Sequence, residues 1–317
     1  MSISRHLVDP EIIPLLELPD MDIASGKLDE IRNDPRFAIE NMPPPPFELS
    51  EAYAPVPGGP DVKLLIINPP SERTDRPAIL HFHGGGMVLG TADMARMSKP
   101  QQAQELDVVI VSVDYRLAPE TPFPGPQEDN YAALQWLAAN AASLGADPSR
   151  ILLMGESAGG GLAAALALMA RDRGGPKVAG QVLMYPMLDH RTGGENSVWD
   201  NAHTGEFIWN RKKNQFGWEC LRGDYQPTDE RKGWFSPSLA ENLAGLPPTY
   251  MATGALDLFL DEDLDYARRL IDAGVPTELH AYPGAVHAFD MVPDTALQAQ
   301  AQADLKRGIR RLLGQVA

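Results

Sequence analysis

The sequence predicts an α/β fold, a mostly parallel central sheet flanked by helices, from three observations. Short β-rich runs recur at residues 62–68, 78–82, 108–114, 151–154, 181–185, 249–253 and 277–282. Several of them are continuously apolar, as strands covered on both faces must be. Helical patterns fill the intervals between the later runs, so strand and helix alternate from about residue 105 onward. That alternation is what parallel pairing through crossover helices requires.

In chain order, residues 1–48 hold few β-branched runs and end in consecutive prolines at 43–46. A proline tract is extended and lacks the N–H a sheet ladder needs, so it reads as a boundary. After the first β-rich runs, Leu134, Leu137, Ala138 and Ala141 recur at helical spacing, and the Ala/Leu-rich segment 158–171 stops at Gly174 and Gly175. Residues 261–273 open with acidic side chains suited to a helix N-terminus and stop at Gly274; Leu305, Ile309, Leu312 and Leu313 mark a last helix. From about 188 to 240 the alternation lapses. Trp199, Phe207, Trp209, Phe216, Trp218, Tyr225, Trp234 and Phe235 crowd there, including four of the chain's five tryptophans. Such an insertion is expected either to wall a pocket as a lid or to pack as a small core of its own. The organisation expected is an N-terminal segment at 1–48, a core in two parts at 49–187 and 241–317, and the insertion at 188–240.

Composition narrows the classes of function. The chain has 317 residues, 44% of them hydrophobic and 22% charged, as a globular protein has. Its longest apolar run, 162–170, is far short of the roughly 20 residues that span a bilayer. Asp9, Pro10, Glu11 and Pro14 interrupt any apolar leader, so a cytoplasmic location is expected. Cys220 is the only cysteine, which leaves no intramolecular disulfide and no cysteine-based metal site. A net charge of −16 would repel a phosphate backbone, so nucleic acid is not an expected partner.

Two motifs carry chemistry. Gly155-Glu156-Ser157-Ala158-Gly159 is a GxSxG between a β-rich run and a helical pattern. There a sharp turn exposes a serine hydroxyl and the glycines permit close backbone approach. His83-Gly84-Gly85-Gly86 follows the run at 78–82. Successive glycines let main-chain N–H groups converge on one point, which in acyl transfer is the oxyanion. His83 is expected to brace that loop, and His81 to be a packed strand residue.

A serine needs a base, and the base needs an acid to fix its tautomer. Of seven histidines, His287 lies in a loop just past the last β-rich run, where an imidazole can reach the serine; His6, His190, His203 and His280 lie elsewhere. Asp257, after the run at 249–253, is the preferred acid, because ligands bind at the carboxyl edge of such sheets. Asp261, Glu262, Asp263 and Asp265 are rivals that read instead as the charged first turn and solvated face of the next helix.

With these residues quoted, the chain resembles the hormone-sensitive lipase family of α/β-hydrolases. The likeness runs from HFHGGG through Asp114-Tyr115-Arg116-Leu117-Ala118-Pro119-Glu120, GESAGG and GALDLFLDE to GAVHAF, about residues 78 to 289. It implies an α/β-hydrolase fold with a helical cap made from the N-terminal segment and the insertion. It implies an oxyanion hole of the Gly84, Gly85 and Ala158 N–H groups, and short to medium acyl esters as substrates. Homodimers are frequent in that family. Two positions depart from its common pattern: Glu156 stands where Asp or Thr is frequent, and Met87 where an aromatic is frequent.

The expected function is therefore a serine carboxylesterase without cofactor or metal. Ser157, Asp257 and His287 are its triad, and Met87, Phe207 and Trp209 its substrate-binding side chains. Two other readings stay open: an amidase or peptidase with the same triad, and a hydrolase-fold binding protein that has lost catalysis.

Overall fold

The structure, a computed structural model, describes residues 2–19, 21–35 and 38–315. Eight strands form one sheet: β1 (Ser50–Ala54), β2 (Val62–Ile67), β3 (Arg76–Phe82), β4 (Val109–Val113), β5 (Ala146–Glu156), β6 (Gly180–Met184), β7 (Thr249–Gly254) and β8 (Thr277–Tyr282). Their order is β1-β2-β4-β3-β5-β6-β7-β8. The pairs β1–β2 and β2–β4 are antiparallel and every other pair is parallel. The helices are α1 (Ile13–Leu16), α2 (Leu28–Arg32), α3 (Lys99–Leu106), α4 (Gly125–Asn140), α5 (Ala158–Asp172), α6 (Arg211–Arg222), α7 (Lys232–Phe235), α8 (Leu260–Asp272) and α9 (Ala296–Leu312).

Strand periodicity sorts the core into two layers. Leu64, Leu80, Val111, Leu153, Leu183 and Met251 face one way and pack with α4, α5 and α8 through Leu134, Leu137, Leu166 and Leu270. Their strand neighbours Leu65, Ile79, Ile110, Leu152, Val182 and Tyr250 face the other way, against Ala103, Leu106, Ala301, Leu305 and Ile309 of α3 and α9. Each fully buried aliphatic or aromatic side chain contributes about 1.5–3 kcal/mol. With both faces covered, the strands read as continuous apolar runs.

The elements that differ from the expectation are those without such runs. β1 was not expected as a strand: it reads SEAYA, its solvent side polar, and it is an edge strand. α3 is mostly polar even where it is buried, at Lys99 and Gln102, so it carries no apolar pattern, and helix and strand alternate earlier than residue 105. β5 begins at Ala146, well before the apolar run at 151–154. Between β6 and β7 lies α6, a helix that the aromatic content of the insertion obscures. The rings of that insertion do not form a separate core. Trp209, Trp218 and Phe235 belong to the same cluster as Leu153 and Leu166, and Phe235 lies edge-on to Phe123 at 5.6 Å and to Trp218 at 5.4 Å.

The N-terminal segment meets the insertion directly. The Glu206 carboxylate accepts from the backbone N–H groups of Ile3 and Ser4 and from the Ser2 and Ser4 hydroxyls, and Lys212 pairs with Asp22 at 2.9 Å. Arg32 of α2 reaches the core, donating to the carbonyls of Val88 and Ala118 at 2.8 Å each.

The turn after β4 is held by a fully buried carboxylate. Asp129 accepts from the Arg116 backbone N–H at 2.9 Å and from its guanidinium at 2.6 Å. Asp129→Ala leaves both donors unpartnered; urea unfolding is expected to show a loss of about 2–4 kcal/mol, and a loss below about 0.5 kcal/mol would refute the assignment.

Candidate active site

Three side chains converge at the carboxyl edge of the sheet. Ser157 follows β5 and precedes α5 with φ 57° and ψ −120°, a left-handed backbone that an L-residue adopts only when its surroundings enforce it. The enforcement is visible. The Ser157 N–H donates to Met184 O at 2.9 Å, while Ser157 O accepts from the N–H groups of Met187 and Gly161 at 3.0 Å. Glycines make the approach possible: a Cβ on Gly159 would run into the carbonyl of Phe82, and one on Gly155 into that of Gly159.

His287 sits beyond β8 and Asp257 beyond β7, brought together by parallel pairing of those strands and by an Ala285 carbonyl that accepts the Leu256 N–H at 2.9 Å. His287 Nε2 lies 2.8 Å from Ser157 Oγ, and His287 Nδ1 lies 2.7 Å from Asp257 Oδ2. The second oxygen, Oδ1, accepts the Phe259 N–H at 3.0 Å, so the carboxylate cannot rotate. All three side chains are buried, with Ser157 6% exposed and His287 5%.

The glycine loop lies against the serine. A Cβ on Gly84 would come within 3.5 Å of Ser157 Cβ, and Gly85 has φ 120°, which only glycine adopts readily. Among the described residues, the Gly84 and Gly85 N–H groups donate to no protein acceptor. His83 braces this loop, its Nδ1–H donating to Gly84 O at 2.8 Å and its ring stacking on Tyr115 at 4.2 Å. Burial pushes its imidazole down to about 4, so it is neutral at physiological pH.

Met87 is buried and has φ 68°. Trp209 covers Gly86 so closely that no side chain could replace that glycine, and its ring centre is 6.2 Å from that of His287. Asn214 fixes the indole by accepting its N–H at 3.2 Å. Phe207 is partly buried against the layer that contains Tyr185, Leu256 and Val286.

The rivals of Asp257 lie away from the imidazole, and two are not solvated. Glu262 and Asp263 are buried, a correction to the reading of a charged, solvated first turn. Glu262 accepts from the backbone N–H groups of Leu188 and Asp189 and from the Thr192 hydroxyl, which ties the start of the insertion to α8. Burial pushes both carboxyls well above the usual range, with Asp189 adding to the effect on Glu262 and Glu262 to that on Asp263.

Sequence reasoning singled out Glu156 but missed the partners it meets beneath the serine. Glu156 Oε1 pairs with Lys99 Nζ at 2.6 Å, and Glu156 Oε2 accepts from His81 Nε2 at 2.8 Å. His81 Nδ1 in turn meets the Ser112 hydroxyl at 2.9 Å, so this strand residue is packed and hydrogen-bonded at both nitrogens. Burial alone would raise the Glu156 carboxyl, but the Lys99 ammonium and the His81 ring outweigh it and hold it well below the usual range. Nothing local in the sequence pairs Lys99 with Glu156. No group of three or more His, Cys, Asp or Glu among the described residues is arranged to hold a metal.

Comparison with known proteins places these features in context. A family model described as the α/β-hydrolase fold matches residues 79–291. The chain is similar to carboxylesterase NlhH of Mycobacterium tuberculosis, 32% identical over 97% of this chain and 98% of that protein. It is also similar to an arylesterase of Saccharolobus solfataricus, 35% identical over 75% of this chain and 76% of that protein. The solved structure of a bacterial heroin esterase superposes with a TM-score of 0.83 at 37% identity, covering 97% of this chain and 98% of that one.

Removing the counter-charge of Glu156 gives a test with a defined sign. The depressed carboxyl contributes stability that is fully present above its unfolded value and is lost as pH falls toward the folded one. Lys99→Met is expected to cost about 2–4 kcal/mol near pH 7.5, and less near pH 4.5, where Glu156, left with His81 alone, takes up a proton. Urea unfolding at both pH values checks this; an equal loss at both would contradict the pairing.

Proposed function

The chain belongs to the hormone-sensitive lipase family of α/β-hydrolases, and we propose that it is a serine carboxylesterase acting on short- to medium-chain acyl esters. The observation that carries this reading is the line of hydrogen bonds from Asp257 through His287 to Ser157 at a strained strand-to-helix turn. Asp257 accepts from Nδ1–H and leaves Nε2 as the basic nitrogen. His287 takes the Ser157 proton as Oγ attacks the ester carbonyl. The N–H groups of Gly84, Gly85 and Ala158 receive the oxyanion, an interaction stronger in the transition state than in the ground state. His287 returns the proton to the departing alcohol. It then activates the water that frees the acid from Ser157.

The N-terminal segment at 1–48 and the insertion at 188–240 act together as a cap over this site, the reading supported by their shared contacts at Glu206 and Lys212. Met87, Phe207 and Trp209 form the apolar wall that receives the substrate. The near-complete burial of Ser157 and the closeness of Trp209 to Gly86 favour small acyl or alcohol groups over long chains. No helix among the described residues is long and apolar enough to cross a membrane. We place the protein in the cytoplasm, with a homodimer as the assembly to look for. The net charge of −16 favours neutral over anionic esters.

Ser157→Ala is expected to lower p-nitrophenyl butyrate hydrolysis by about 10⁴-fold or more with the fold intact; turnover comparable to the wild type would sink the assignment. Paired rates on an ester and its matching amide separate an esterase from an amidase. Across p-nitrophenyl esters from acetate to palmitate, activity is expected to peak at short to medium chains, and Trp209→Ala to move that peak to longer ones.

A further inference from the structure

We propose that Tyr185, anchored by Asp290, is a positioning residue that holds the His287 imidazole between Asp257 and Ser157. The proposal rests on His287 being the base, and concerns two side chains to which the reaction assigns nothing.

Tyr185 follows β6 with φ 36°, a left-handed conformation rare for an aromatic residue. Such a backbone persists only where its surroundings over-determine it. Its neighbours supply the constraint: Met184 O and the Met187 N–H bond to the two sides of Ser157, and the Tyr185 N–H donates to Ala252 O of β7. The segment that clasps the serine thus also aims the Tyr185 ring. That ring meets the His287 ring edge to face, with centres 4.9 Å apart at 68°. Beyond it, the Tyr185 hydroxyl donates to Asp290 Oδ1 at 2.7 Å. Asp290 is three residues past His287, and its carbonyl accepts from the Gln298 side chain of α9 at 2.9 Å. Burial, with Asp290 adding to it, pushes the phenol well above its usual value, so it remains a donor.

One side chain therefore connects the segment that bonds to the Ser157 backbone to the turn just past His287. Phe259 packs at 5.3 Å against the same imidazole, but it has no polar group to register it. If Tyr185 lost its anchor, the imidazole could swing while both neighbouring turns stayed folded. The defect would then lie in the chemical step rather than in substrate binding.

The test uses the full chain and p-nitrophenyl butyrate. Tyr185→Phe and Asp290→Ala are each expected to lower kcat about 5- to 20-fold with KM within twofold, the double variant being no worse than the poorer single one. Asp290→Asn keeps an acceptor and is expected to stay within about twofold of the wild type. The downfield proton resonance of the His287 Nδ1–H to Asp257 hydrogen bond reports position directly, and is expected to broaden or shift in Tyr185→Phe but not in Asp290→Asn. Wild-type kcat and an unchanged resonance in Tyr185→Phe overturn the proposal, as does a loss confined to KM. If Asp290→Ala does not fold, Tyr185→Phe with Asp290→Asn decides alone. His287→Ala separates the two levels: if it retains full turnover, the base assignment itself fails, whereas an inactive His287→Ala beside a fully active Tyr185→Phe removes only the positioning role.

Discussion

The left-handed backbone of Ser157 is the constraint around which the carboxyl edge of the sheet is arranged. A non-glycine residue in that conformation is costly, by the order of 1–3 kcal/mol, and three elements hold it there. β6 and the segment after it supply Met184 O and the Met187 N–H, α5 supplies the Gly161 N–H, and the absence of side chains at Gly155 and Gly159 lets β3 and α5 close in. The cost is met by the packing of the sheet. The apolar stretches of β3, β5 and β6 therefore do more than fill a core: they are the rigid frame against which a strained turn can be kept.

The same frame accounts for the buried charges. Glu156 lies partly buried beneath the turn, where an unpaired charge would be costly. Lys99 supplies the opposite charge, and His81 satisfies the remaining oxygen while Ser112 satisfies His81. Glu262 solves a similar problem with backbone N–H groups and a hydroxyl instead of a cation. Both carboxyls join elements distant in sequence, α3 to β5 in one case and the insertion to α8 in the other. Their value lies in registering those elements around the site as much as in stability.

The placement of the insertion follows from this arrangement too. Trp209, Trp218 and Phe235 are continuous with the main core, so the insertion cannot move as an independent body without exposing large aromatic surfaces. Its link to the N-terminal segment through Glu206 and Lys212 is made of exposed or part-exposed polar contacts, which are weak individually. The aromatic contacts hold the insertion to the core, whereas the polar contacts join two chain segments at its surface.

What the sequence by itself determined is whatever depends on neighbours along the chain. The parallel sheet is legible because both-face burial forces continuous apolar runs, and the serine turn and glycine loop are legible because each is a single contiguous motif. Edge strand β1 and polar helix α3 are not, because β1 is mostly exposed and α3 buries polar side chains such as Lys99 and Gln102. Tertiary structure alone decided which charge meets which: Lys99 with Glu156, the buried acceptors of Glu262, and the contact of Tyr185 with both Asp290 and His287. These pairings join residues 57 to 105 positions apart. Local propensity and spacing carry no information about them, because the partners meet only after the sheet has set the distance between its strands.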